Sequence, residues 1–407
     1  MLEVQASIGG VAGFRAVGVR SGLKKNGKLD FALIVSDRPC ATGGVFTTSQ
    51  VKAAPVLVDI QRLQTNAGGI RAVVTNSGCA NACTGQQGMA NAERTAQLAA
   101  AQIGCAADDI LVLSTGVIGV QLAMDKIEQG IRLACEAPAD DWETAAQAIM
   151  TTDTRPKQAM VEMTTSSGQT YRIAGISKGA GMIAPNMATM LSVVVTDAEL
   201  SPEQAQQALQ VTSEISYNCI VVDGDTSTND TVLLLANGAS GAQLETAEDR
   251  EQFQRALDAV CIKLSQDIVR DGEGVSKFIT VRVQGAADYA SARQIANTIA
   301  ISPLVKTAFY GNDANWGRIM MAAGRAGVPF EQEKLSLWFA PGEHFENPLQ
   351  LVANGMPLDY GEDKATAIIS EPSVGVLLDI GMGDGAATVW TCDLSHEYVS
   401  INADYRT

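Results

Sequence analysis

Short β-branched apolar runs alternate with amphipathic stretches along the whole chain, a pattern that predicts a mixed α/β fold. Apolar clusters bounded by glycine, asparagine and aspartate predict strands over 31–35, 72–75, 110–113, 171–176, 190–196, 232–235, 278–283, 335–339, 374–380 and 388–391. Helical periodicity covers 89–103, 290–300 and 316–326. Two further helices announce their starts. Ser201-Pro202-Glu203 reads as an N-cap followed by proline at the first helical position, and Thr246 to Asp249 forms a capping box that opens a helix reaching Val269. No repeat, low-complexity tract or Pro/Ser linker marks a boundary, so the lobes are expected to interlock.

At 407 residues the chain is long enough for two or three lobes of about 150 residues each. Its 45 acidic against 29 basic residues give a net charge of −16, which repels polyanions. Nucleic acid and anionic membranes are therefore poor partners. Hydrophobic residues make up 46% and aromatics only 5%, so small aliphatic side chains must fill a large core. No apolar run is long enough to span a bilayer, and Met1-Leu2-Glu3-Val4-Gln5 looks like neither a secretion signal nor an Arg-rich transit peptide, so a cytoplasmic location is expected. The eight cysteines are scattered, with one C-x-x-x-C pair at Cys79 and Cys83. With only His344 and His396 to complete a metal set, reduced structural thiols and no bound metal are expected.

One segment carries sharper chemistry. Lys178-Gly179-Ala180-Gly181-Met182-Ile183-Ala184-Pro185-Asn186-Met187-Ala188-Thr189 joins two predicted strands through a backbone that glycine and proline keep irregular. Thr189 then opens a core strand, the placement an N-terminal nucleophile requires. Its hydroxyl attacks the preceding carbonyl, the acyl group shifts from nitrogen to oxygen, and ester hydrolysis cuts the chain between Ala188 and Thr189. The new α-amine, with an ordinary pKa of about 7.7 to 8.0, then serves as base to its own hydroxyl, so no histidine is needed. The plainer reading is a Gly/Pro loop leading into a strand whose first residue is threonine by β-propensity.

The run Lys178 to Leu191, KGAGMIAPNMATML, resembles the self-cleavage signature of the ornithine acetyltransferase family, also called glutamate N-acetyltransferase or arginine-biosynthesis bifunctional protein. The resemblance extends through Thr75 to Ala82, Ser114 to Gly119, Thr151 to Thr154, Asp223 to Asp230, Arg270 to Gly274 and Asn402 to Thr407; Ala180 stands where the family often has serine. It implies a layered α/β self-processing fold shared with self-cleaving aminopeptidases, with an α fragment over 1–188, a β fragment over 189–407, and two copies of each in the assembly. It also implies a ping-pong transfer of acetyl from N-acetylornithine to glutamate through an acetyl-Thr189 ester, giving ornithine and N-acetylglutamate. By the same resemblance Thr115 and Gly116 form the oxyanion hole, while Thr152, Lys178, Glu273, Asn402 and Thr407 line the substrate site around Thr189. Glu273, an acid on a glycine-flanked turn, suits the cationic amine of the donor. No cofactor is implied, although acetyl-CoA is open as a second acetyl donor. Read without the family, Ser114-Thr115-Gly116 is a strand-ending turn and Glu273 a solvated charge after a helix.

Other motifs compete. Gly179 to Ala184 and Gly381 to Ala386 mimic a dinucleotide fingerprint, but neither is followed by the necessary helix. Asp223-Gly224-Asp225-Thr226-Ser227 is similar to the D-x-D-x-T signature of haloacid-dehalogenase-like Mg²⁺-dependent phosphatases, with serine replacing the usual last threonine and no second acid pair downstream. In the acetyltransferase pattern the same residues read as an internally bonded turn near the cleft. A self-processing aminopeptidase or amidase, passing its acyl group to water, is the remaining alternative. Tyr310 to Arg318, polar and glycine-rich, reads equally as a cleft wall, a subunit contact or a loop before a capped helix.

Overall fold

The computed structural model describes residues 2–137, 140–184 and 190–403. The first half runs β1 (Phe14–Val19), β2 (Phe31–Phe46), α1 (Ala54–Asn66), β3 (Ile70–Cys79), α2 (Gly85–Ile103), β4 (Ile110–Val117), α3 (Met124–Glu136) and α4 (Trp142–Ile149). It continues through β5 (Lys157–Thr164), β6 (Thr170–Lys178), β7 (Leu191–Thr196), α5 (Pro202–Ile215), β8 (Thr231–Ala236) and α6 (Ala247–Arg270). A second unit follows with β9 (Phe278–Ala286), α7 (Tyr289–Ala300), α8 (Pro303–Tyr310), α9 (Trp316–Gly324), β10 (Ser336–Pro341) and β11 (Leu349–Ala353). It closes with β12 (Met356–Pro357), α10 (Glu362–Ile369), β13 (Ser373–Asp379), β14 (Gly385–Cys392) and α11 (His396–Ala403).

Among the described residues, the larger sheet has the order β4-β3-β2-β8-β7-β6-β5, with β1 paired to β2 outside that path. Its central strands are hydrophobic at consecutive positions because both faces are covered. On one side, Val193, Val195, Leu233 and Leu235 join a cluster with Trp142, Ala145 and Ile149 of α4. On the other, Val194, Val232 and Leu234 pack with Leu209 of α5 and with Phe253, Leu257 and Leu264 of α6. Helix, sheet and helix thus form three layers. The smaller sheet, ordered β12-β11-β10-β13-β9-β14, shares a core with α7 to α10. The segment between α5 and β8 reaches the smaller sheet where Val221 N–H donates to the carbonyl of Trp390 in β14 at 2.9 Å.

The topology mixes strands from both predicted fragments. β7 pairs antiparallel with β6 and parallel with β8, and β8 pairs antiparallel with the second half of β2. The lobes interlock within one sheet, as the absence of any linker anticipated.

Candidate active site

The site is assembled where several strand ends meet. β3 and β4 run parallel, with Ser77 beside Thr115 and Gly78 beside Gly116, and both chains turn sharply there. Gly116 has φ +132° and Gly78 φ +108°, values that favour glycine. A Cβ on Gly116 would fall 2.3 Å from the carbonyl carbon of Gly78, so the two backbones could not cross with a side chain between them. Thr115 is buried beside this crossing, and Lys178, the last residue of β6, donates from Nζ to its Oγ1 at 3.2 Å. Because the lysine is the donor, the threonine proton is left free to point into the cleft. Burial lowers the Lys178 pKa from its ordinary value, opposed by the charge of Asp153.

A buried ion cluster fixes the approach to this lysine. Lys157 lies between Asp153 at 2.7 Å and Asp271 at 2.6 Å, and Asp153 also accepts from Gly179 N–H at 2.6 Å. Burial works against the charge of Asp153, but Lys157 and Lys178 outweigh it and hold the carboxyl well below its usual range. Asp271 accepts from Thr154 N–H at 3.1 Å, so the 151–154 turn, the end of α6 and the start of the glycine segment form one unit.

The glycine segment is clamped further along. Asp223 accepts from Met182 N–H at 2.6 Å and Ile183 N–H at 2.9 Å, and Glu273 N–H donates to Ala180 at 2.8 Å. Burial pushes the Asp223 carboxyl above its ordinary range, against those N–H bonds. Both oxygens of Asp223 accept bonds that hold the glycine segment and Tyr398, the part of an internally bonded turn. Where the described chain resumes, Met190 N–H donates to Asp230 at 2.9 Å, and Leu191 pairs with Lys178.

These elements surround a cavity of about 110 Å³. The structure brings six of the sequence-predicted residues to it: Thr115, Gly116, Thr152, Lys178, Glu273 and Asn402. Asn402, from α11, donates to Glu273 at 2.7 Å and fixes that carboxylate at the rim. Ala188, Thr189 and Thr407 lie outside the described residues. Ser227, Thr228 and Asn229 form one wall, in the internally bonded turn expected near the cleft: Thr228 Oγ1 donates to Asn229 Oδ1 at 2.6 Å and Asn229 N–H to Ser227 Oγ at 3.1 Å, and Thr151 and Ala80 also contribute to the lining. Their presence in motif segments was the available signal; their orientation depends on contacts made far along the chain. Tyr310 to Arg318 does not line the cavity: Tyr310 stacks edge-on against His396 instead. Gly179 to Ala184 ends in the clamp described above, and Gly381 to Ala386 runs into β14, so among the described residues neither meets a helix N-terminus. Among the described residues no cluster of three or more His, Cys, Asp or Glu has a metal-holding arrangement, and no helix is long and apolar enough to cross a membrane.

Comparison with known proteins agrees with this architecture. The ArgJ family model matches residues 15–407. The arginine biosynthesis bifunctional protein ArgJ of Geobacter sulfurreducens is 47% identical over 401 residues, covering 98% of this chain and all of the relative. The mitochondrial ArgJ protein of Schizosaccharomyces japonicus is 46% identical over 405 residues, covering 97% of this chain and 93% of the relative. The crystal structure of the Bacillus halodurans ArgJ protein is 40% identical with a TM-score of 0.50, matching 53% of this chain and 100% of that one. Match and identity along nearly the full length show that this chain belongs to the ArgJ family.

Proposed function

We propose that the chain cuts itself between Ala188 and Thr189 and then moves an acetyl group from N-acetylornithine to glutamate through an ester on Thr189. The observation that carries this reading is one cavity that unites a buried cation, a sharp glycine turn and an anchored carboxylate. Thr189 precedes Met190 in sequence, and the described strand resumes beside Lys178. The names of the relatives, which place them in arginine biosynthesis, support the substrate class.

In this mechanism the α-amine of Thr189 removes the proton from its own hydroxyl, which attacks the acetyl carbonyl. The oxyanion is met by the Thr115 hydroxyl and the Gly116 N–H, each such donor being worth about 10² to 10³ in rate. The α-ammonium returns the proton to the leaving amine of ornithine, and the α-amine of glutamate takes the acetyl group from the ester. Lys178 and Thr152 suit an α-carboxylate, and Glu273, oriented by Asn402, suits the side-chain amine of the donor. Thr407 would complete the site from the C-terminus. One amide is broken and one made, so the chemistry requires no nucleotide, metal or redox cofactor. The relatives' designation as bifunctional supports acetyl-CoA as a second acetyl donor. The assembly is read as two copies of each fragment and the location as cytoplasmic.

Purified protein resolved under denaturing conditions should give two fragments, the second beginning at Thr189. Thr189→Ala should remain one uncut polypeptide without transfer. Active material whose only N-terminus lies near Met1 would refute the proposal. Labelled acetyl-CoA with glutamate tests the second activity, and release of free acetate in place of N-acetylglutamate would favour the amidase alternative.

A further inference from the structure

Asn229 makes the most committed use of its side chain in the cavity wall. Its Nδ2 donates one hydrogen to the Ala80 carbonyl at 2.7 Å and the other to the Ser114 carbonyl at 2.8 Å, while Oδ1 accepts from Thr228 Oγ1 at 2.6 Å. The residue is 5% exposed. Its two acceptors lie 149 and 115 positions away, on the two turns that cross at Gly78 and Gly116. A planar trans peptide moves as one plate, so holding the Ser114 carbonyl fixes the Ser114–Thr115 peptide plane, from which the Thr115 side chain and then the Gly116 N–H project. The second bond restrains the other turn, since Ala80 N–H donates to Val117 at 2.9 Å and brackets Gly116. Aspartate would set an oxygen against two carbonyls, and serine could reach at most one of them.

We infer that Asn229 is a positioning residue that aims the Thr115-Gly116 donors at the developing oxyanion by gripping the carbonyls of Ser114 and Ala80. The inference rests on the transferase reading given above. Asn229→Asp preserves size and removes both donated hydrogens. A turn displaced by a fraction of an ångström to 1 Å should lower kcat for acetyl transfer by about 10²-fold. The KM values for N-acetylornithine and glutamate should stay within about threefold, because Asn229 acts on donors that matter at the oxyanion. Combined with Thr115→Ala, the losses should fall well short of multiplying, since both changes strike one donor set.

A general structural role would instead lower the melting temperature and raise KM without this split. Should N229D not fold, Asn229→Ser is read in the same way. A folded N229D precursor that no longer cuts itself supports the inference as well, because self-cleavage passes through an oxyanion at the same nucleophile. Wild-type kcat in either folded variant, or losses that multiply with T115A, would overturn it. If T115A transfers acetyl as fast as the wild type, the oxyanion assignment fails first and takes this inference with it, so the two failures are distinguishable.

Discussion

At the scale of single residues, one testable constraint on the site comes from an absent side chain. A Cβ on Gly181 would lie 2.5 Å from the carboxylate of Glu273, at a position whose backbone does not require glycine. The atoms displaced are the far end of a flexible side chain, so Gly181→Ala should leave the melting temperature close to that of the wild type. It should also push Glu273 off Asn402 and away from the donor amine. Loss of a hydrogen bond to a charged group then raises KM for N-acetylornithine about tenfold or more. Steady-state kinetics with saturating glutamate measure this, and an unchanged KM would remove Glu273 from amine recognition. Thr115, Gly116, Lys178 and Glu273 were legible only through the family resemblance of the short segments that hold them, and the structure brings all four to one cavity. The role of Asn229 was not legible, because what its amide does is decided by carbonyls more than a hundred positions away.

Elements were legible where the chain marks its own boundaries. α6 begins at the predicted capping box, with Thr246 accepting from Asp249 N–H at 3.0 Å. α1, α3, α4, α8, α10 and α11 have no counterpart among the expected helices: α1 and α3 each follow an alanine with no capping side chain, and the other four have only eight residues each. β2 was expected to stop before the exposed Asp37-Arg38-Pro39. It continues to Phe46, bulging against β3 between Val35 and Cys40 and then changing partner to β8. The cap of α6 also ties elements together, because Asp249 accepts from Ser166 N–H at 2.7 Å and Ser166 Oγ at 2.8 Å. These bonds, the Ser166 N–H foremost and Thr246 next, draw its carboxyl pKa down to about 2. A depressed carboxylate contributes stability above its unfolded value of about 3.9 and loses it as pH falls toward the folded one. Asp249→Asn should therefore lower the urea midpoint at pH 6, and the gap from the wild type should shrink as pH drops toward 3. A gap independent of pH would mean that Asp249 contributes shape alone.

At the scale of the whole molecule, the cut proposed at Thr189 falls between two neighbouring strands of one sheet. β6 would belong to the first fragment and β7 to the second, yet they pair along six residues, from Ile173 beside Thr196 to Lys178 beside Leu191. On the other side β8, also of the second fragment, pairs with β2 of the first from Ala41 to Phe46. The second fragment's two strands are thus enclosed within the first fragment's sheet, with α4 covering one face and α5 and α6 the other. Separating the fragments would strip two rows of ladder bonds and uncover Val193, Val195, Leu233 and Leu235, which pack against α4 of the first fragment and are all buried to at least 98%. At roughly 1.5 to 3 kcal/mol for each buried aliphatic side chain, those four alone oppose dissociation by roughly 6 to 12 kcal/mol. Cleavage should therefore be invisible under native conditions: one species by size exclusion, both fragments in every active fraction, and separation only in denaturant. Fragments that part during native chromatography at micromolar concentration would show that the cut does not pass between paired strands of a shared sheet.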